Sequence, residues 1–186
     1  MLCDYVETAL TAHQIGDLLT MAGFELEGIE EVGPGDQAEP EFVLDIKVMS
    51  NRGDGLSVFG LAREVLAKDQ NSNPTRLYTR AASRFQDVNV AETIQIPTET
   101  ARIESESCRR FAVRGFSNVD AKTQSPAWMQ KRLDASGMRP ISLLVDLTNY
   151  IMLELGQPLH AFDRDKLTGQ QIIVRDAKPG DRKSVV

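Results

Sequence analysis

The sequence predicts an α+β protein, with a small N-terminal α/β module followed by a second, mixed α/β portion. Three observations carry this. Helix-period apolar stripes with start and stop residues alternate with short strand-like runs. The charge changes sign along the chain: residues 1–70 hold 14 Asp/Glu against 4 Lys/Arg, and residues 71–186 hold 13 against 17. Between the two portions, residues 69–88 (DQNSNPTRLYTRAASRFQDV) are polar, weakly periodic and contain Pro74. The expected organisation is a module at 1–70, a linker at 71–87 and a second domain at 88–186. Its 186 residues allow one large domain or two small ones.

In the first module, Thr11 is a helix-start residue. Ile15, Leu18, Leu19 and Ala22 then share a helical face, and Gly23 stands where a left-handed cap would end the helix. Phe24, Leu26 and Ile29 suggest a half-exposed strand that Gly33-Pro34-Gly35-Asp36 breaks, and Phe42–Val48 suggests a second. The two are expected to pair as an antiparallel hairpin across a long loop. Asp54 is placed to cap a helix from Leu56 to about Lys68, whose buried stripe would be Val58, Leu61, Ala62 and Val65. Arg52-Gly53-Asp54 spells an adhesion tripeptide, but that reading requires export, and no signal-like segment precedes it.

In the second portion, Val88–Ile96 alternates in part, and Cys108–Phe116 (CRRFAVRGF) reads as a strand carrying Arg109, Arg110 and Arg114. Ser125 and Pro126 are suited to cap and begin a helix with Trp128, Met129 and Leu133 on its apolar face. Gly137 ends it and Pro140 prevents continuation. Asp146 is expected as the N-cap of a helix over Leu147–Leu155, with Gly156 as C-terminal cap and Pro158 beyond. Leu147, Ile151 and Leu155 recur every four residues, as core contacts would. Gln170–Val174 reads as a strand and Pro179-Gly180-Asp181 as a turn.

No run of about 18 apolar residues suggests a membrane span, and the N-terminus lacks a basic region leading into an apolar segment. A cytoplasmic protein is expected. Cys3 and Cys108 have no CxxC partner and read as free thiols. Phosphate-loop, HExxH and GxSxG signatures are missing. Chemistry therefore concentrates in residues 137–163 (GMRPISLLVDLTNYIMLELGQPLHAFD), which hold one of the two histidines. Within it, Asn149 is either surface polar, tied to a loop, or a ligand contact. His160, after turn-forming residues, is a structural or a functional loop histidine. The basic balance of the second portion is compatible with a polyanionic partner.

Four blocks in order, LLTMAGFELEGIEEVG at 18–33, VLDIKVMSNRGDGLSVFGLAREVLA at 43–67, SPAWMQKRL at 125–133 and residues 137–163, resemble the beta subunit of bacterial-type phenylalanyl-tRNA synthetase. The resemblance implies that residues 1 to about 70 are the family's small N-terminal α/β module, without its inserted oligonucleotide-binding barrel. Residues from about 88 onward would be the first half of the domain that hydrolyses tyrosine wrongly attached to phenylalanine tRNA. It implies Asn149, Pro158 and His160 as editing-pocket residues, with Asn149 and His160 positioning the aminoacylated end or a water. It implies an alpha subunit and phenylalanine tRNA as partners, with neither membrane nor DNA. ATP and magnesium are expected for the full enzyme only, with no cofactor held by this chain. The family usually continues beyond the point where this sequence stops, so the chain alone is expected to lack synthetic activity. The alternative is a stand-alone tRNA-binding or trans-editing module. Gly53 and Gly55 stand where the family commonly has Pro and Cys, and Leu143 where it often has Asn.

Overall fold

The computed structural model describes residues 1–34, 40–83 and 100–181. Helices and three small sheets, each of two strands, give the α+β class expected. Two compact units are present, Met1–Val88 with Ala121–Ala161, and Asn89–Asp120 with Phe162–Val186. The strand reading at Val88–Ile96 lies outside the described residues.

The first unit starts with a two-residue strand, Val6–Glu7 (β1), and a helix, Ala12–Met21 (α1). The Thr11 side chain accepts from Gln14 N–H while the Gln14 side chain accepts from Thr11 N–H, so two otherwise unpaired donors are satisfied reciprocally. At the other end Gly23 takes φ +93°, Gly23 N–H donates to Thr20 and Phe24 N–H to Leu19. That is a left-handed glycine stop, and it brings Phe24 onto Leu19, both almost fully buried.

Glu25–Pro34 (β2) and Pro40–Lys47 (β3) pair antiparallel, from Glu25 opposite Lys47 to Pro34 opposite Pro40, with two register shifts. The Lys47 ammonium sits 2.8 Å from Glu25 and 3.4 Å from Glu27. The hairpin is the one the alternation predicts.

The next helix, Val58–Lys68 (α2), begins later than expected, and Asp54 does not cap it. Ser57 does, its hydroxyl accepting from Gly60 N–H at 2.9 Å. Asp54 is engaged by the Arg52 fork at 3.0 and 3.1 Å, so the carboxylate is drawn away from the helix end. Arg52 also reaches Glu64 at 2.8 Å and the Ala22 carbonyl at 3.3 Å, and lies 4.6 Å over the Phe24 ring. The tripeptide Arg52-Gly53-Asp54 is thus consumed in joining α1, the turn and α2. Ala62 and Val65 of the expected stripe are fully buried against Tyr5, Val6, Ile15, Leu19 and Phe24, with Val58 and Leu61 packed around them. Burying a side chain such as Val65, Leu19 or Phe24 stabilises by roughly 1.5–3 kcal/mol.

Residues 71–83 are not without structure. Asn73–Pro74 (β4) pairs antiparallel with β1, and Arg76–Ser83 (α3) follows. Tyr78 stacks on Phe59 at 5.1 Å, and Phe59 meets Tyr5 edge-on at 5.6 Å, so this stretch is packed onto the first unit.

In the second unit, Ala101–Ile103 (β5) runs parallel to Ile172–Val174 (β6), the latter within the strand expected at Gln170–Val174. Pro179–Asp181 turns as expected, with Gly180 at φ +91°. Cys108–Phe116, by contrast, is not a strand. A segment forms a strand only when a neighbour pairs with its backbone, and no described strand pairs with this one.

Candidate functional site

The region expected to carry chemistry is built on two helices of the first unit, Ala127–Ala135 (α4) and Leu143–Leu155 (α5). α4 ends on the same stop as α1: Gly137 takes φ +75°, and Met138 N–H donates back to Leu133. Met129, Leu133 and Tyr150 form a small core with Met138 and Leu153 against it.

The start of α5 differs from expectation in an informative way. The helix begins one turn earlier, at Leu143 after Ser142, so Asp146 is not its N-cap. Asp146 is instead buried, 1% exposed, in the first turn. Its carboxylate accepts from the Ser125 hydroxyl and, at 2.8 Å, from Ile141 N–H. Leu143 N–H donates to the Thr123 carbonyl at 3.0 Å. Ser125, likewise, does not cap α4; Pro126 occupies that place and the serine is spent on Asp146. The segment before α4 is thereby sewn to the segment before α5 by a buried charge-assisted pair.

The buried face of α5 is also not the leucine stripe. Asp146 and Tyr150 are buried, while Leu147 and Leu155 are 36% and 39% exposed. The Tyr150 hydroxyl accepts from Arg132 at 2.8 Å, and the Trp128 ring meets Tyr150 edge-on at 5.4 Å. Arg132 in turn pairs with Asp4 at 2.7 Å. Burial pushes the Tyr150 phenol up, with the Arg132 bond opposing. Burial works against the Arg132 charge, yet Tyr150 and Asp4 together hold its pKa above the ordinary value. Burial, followed by a hydrogen bond to Glu154, raises the Tyr5 phenol well above its usual range. Asp4, before α1, is thus tied through Arg132 of α4 to Tyr150 of α5.

α5 stops at Gly156, φ +75°, whose N–H donates to Met152 at 2.9 Å. The positive φ favours glycine there, and a Cβ would also lie a tight 3.3 Å from the Leu56 carbonyl oxygen. The chain then runs as an exposed loop in which Gln157 donates to the Pro158 carbonyl at 3.0 Å.

Of the expected site residues, Pro158 and His160 are both exposed and share this loop. Asn149 is half-buried on α5, beside the Asp146–Tyr150 face. It precedes the last helical residue, Leu155, by about 9 Å of helix rise. The structure therefore sets two of the three on one loop and the third on the helix that leads into it. Sequence reading missed Ser125–Asp146 and Asp4–Arg132–Tyr150, whose partners lie far apart in the chain. The one local signal was Trp128 four residues before Arg132, a spacing at which the guanidinium covers the ring, here at 5.7 Å.

Among the described residues, no group of three or more His, Cys, Asp or Glu side chains is gathered as a metal site. No described helix is long and apolar enough to cross a membrane.

Comparison with known proteins joins this site to a family. Residues 107–184 match the B3/4 domain, a segment that includes α4, α5 and all three expected site residues. The chain is 35% identical to the phenylalanine–tRNA ligase beta subunit of Clostridium tetani over 98% of its own length and 22% of that protein. It is 39% identical to that of Nocardia farcinica over 98% of its length and 20% of the relative. Along nearly its whole length the chain is similar to phenylalanine–tRNA ligase beta subunits. A shorter match, to the Neisseria gonorrhoeae subunit, is 42% identical over 76% of the chain and 17% of the relative. The chain spans about a fifth of the length of the curated relatives it matches.

The glycine at position 55 has a local cause. A Cβ at Gly55 would lie 2.3 Å from the Phe24 ring, so the buried phenylalanine under Arg52 fills the space a larger residue would need.

Proposed function

We propose that the chain serves translation as the N-terminal part of a phenylalanine–tRNA ligase beta subunit. In this reading residues 1–70 are its N-terminal module, and 88–186 begin the domain that hydrolyses tyrosine mistakenly esterified to phenylalanine tRNA. The observation that carries it is the match to beta subunits along 98% of the chain, with the B3/4 segment over α4 and α5. The partners are an alpha subunit and phenylalanine tRNA, in the cytoplasm. ATP and magnesium belong to amino-acid activation, for which this chain supplies no proposed ligand.

The chemistry follows from the difference between the two amino acids. They differ by one hydroxyl, and a hydrophobic pocket rejects an analogue that merely adds a hydroxyl only weakly. A second site that demands the hydroxyl corrects the error. Ester hydrolysis there needs an oriented water and donors at the developing oxyanion. His160 and Asn149 orient the aminoacylated end or that water, and Pro158 forms part of the wall. The Ser125–Asp146 and Arg132–Tyr150 bonds hold α5 in place, and Gly156 turns the chain into the loop that presents His160.

The test is a chimera in which residues 1–186 replace the matched segment of the Nocardia farcinica beta subunit, assembled with that enzyme's alpha subunit. It is expected to charge tRNA with phenylalanine and to deacylate tyrosyl-tRNA of the phenylalanine isoacceptor. His160→Ala and Asn149→Ala are expected to lower deacylation at least tenfold while leaving charging intact.

A further inference from the structure

The start of α5 is held by Ser125–Asp146 and its middle by Arg132–Tyr150, but its end rests on a different element. Gly156 lies against the turn that begins α2. A Cβ placed on it would stand 3.3 Å from the Leu56 carbonyl oxygen, 3.4 Å from the Ser57 Cβ and 3.7 Å from the Ser57 hydroxyl oxygen. That turn is braced from both sides. Ser57 accepts from Gly60 N–H, and the Asp54 carbonyl closes the space over Gly60. Arg52 joins Asp54, ahead of the turn, to Glu64 in the body of α2.

The segment that leaves Gly156 is short and stiff. His160 stands four residues on, within about 14 Å of chain even when fully extended. Pro158 has a fixed φ, and Gln157 before it is held to extended conformations. Two of the three intervening residues therefore have little freedom to absorb a displacement of Gly156. It passes to the histidine.

We infer that Leu56 and Ser57 position the histidine of the proposed editing site: they seat Gly156, and Gly156 sets where the loop places His160. Ser57 is thus a positioning residue supplied by the N-terminal module, about a hundred positions before the group it serves. The inference rests on the functional reading above for the reaction in which His160 takes part. Its energetic ground is that a misplacement of about 1 Å in an orienting group lowers a rate by up to about a hundredfold.

The experiment uses the two histidines of the chain, His13 on α1 and His160, as reporters. Ring NMR of the full 186-residue chain, labelled at histidine, gives one set of signals for each, assigned by the loss in His160→Ala. Ser57→Gly removes the Cβ and hydroxyl that face Gly156, and Ser57→Thr adds a methyl group to that seat. Glycine and threonine both serve as helix N-caps, so α2 keeps its start. Both variants are expected to move the His160 signals by more than a linewidth and to leave those of His13 in place. Val65→Ala, in the buried core of the same module, is expected to lower the thermal midpoint and move neither set. In the chimera both Ser57 variants are expected to slow deacylation between about tenfold and a hundredfold, in kcat more than in KM, with phenylalanine charging unchanged. Gly156→Ala should be less harmful with Ser57→Gly than with Ser57→Thr, because the first opens room for the added methyl group. Far-ultraviolet dichroism verifies that the variants fold. His160 signals that stay in place in both Ser57 variants overturn the inference, as does an equal movement under Val65→Ala. Deacylation that needs His160 but is indifferent to both Ser57 variants refutes this inference alone. His160 signals that follow Ser57, with no deacylation in the chimera, refute the functional reading alone.

Discussion

The Ser125 hydroxyl donates to the Asp146 carboxylate inside the first unit, with Ser125 5% and Asp146 1% exposed. The pair fixes where α5 begins relative to α4, and therefore where Asn149 and the His160 loop stand. A buried carboxylate that has lost water needs every donor it is given. Asp146→Ala is accordingly expected to destabilise the chain by about 2–4 kcal/mol, because it leaves the Ser125 hydroxyl and Ile141 N–H unsatisfied. Ser125→Ala should cost less, about 1–2 kcal/mol. Urea unfolding at constant slope measures both, and shifts below about 0.5 kcal/mol for Asp146→Ala would show that the pair does not hold the helix.

Gly60 offers a second check on how α2 is seated. A Cβ there would lie 1.8 Å from the Asp54 carbonyl oxygen, a backbone atom that cannot swing aside. Gly60→Ala is expected to destabilise by at least about 3 kcal/mol, at the upper end of overpacking costs. Gly28→Ala is the control, since nothing lies within 4 Å of its added methyl group. In thermal scans of both variants it should be neutral or slightly stabilising, whereas Gly60→Ala lowers the midpoint.

The second unit contains a titratable lock beside β6. The Arg175 fork holds Asp181 at 2.8 and 3.0 Å, and Lys178 N–H adds a bond at 2.7 Å. The Arg175 bond first, and the Lys178 amide next, lower the Asp181 carboxyl to about 2. A depressed folded pKa means that the contribution is fully present above the unfolded value of roughly 3.9. It is lost as pH falls from there through 2. Carboxyl NMR should find the Asp181 midpoint near 2, and Arg175→Gln should raise it. A midpoint near the ordinary value in the unsubstituted chain would show that the lock does not form.

Local signals in the sequence were legible where the physics was local. The helix start at Thr11, the Gly23, Gly137 and Gly156 stops and the β2–β3 hairpin each involve residues within a few positions or one hairpin, and each appears as expected. The failures share a cause. Asp54 and Asp146 both look like caps by position, but Arg52 and Ser125 claim them, and a serine takes or adjoins the cap instead. A four-residue leucine repeat on α5 suggested the buried face, but Arg132 and Trp128 select Tyr150. Cys108–Phe116 reads like a strand but has no described partner. Which polar group meets which is decided by tertiary neighbours that spacing does not reveal. The loop that carries two of the candidate residues was legible as a stretch, since Pro158 and His160 share an exposed loop after a capped helix. The buried pairs that support the helix were not.

Tyrosyl-tRNA deacylation by the chimeric beta subunit tests the central claim most directly. The account predicts that the chimera with residues 1–186 clears tyrosine from phenylalanine tRNA. It further predicts that His160→Ala slows this at least tenfold and that phenylalanine charging is unchanged. Deacylation at background in the chimera, or undiminished after both His160→Ala and Asn149→Ala, would contradict it.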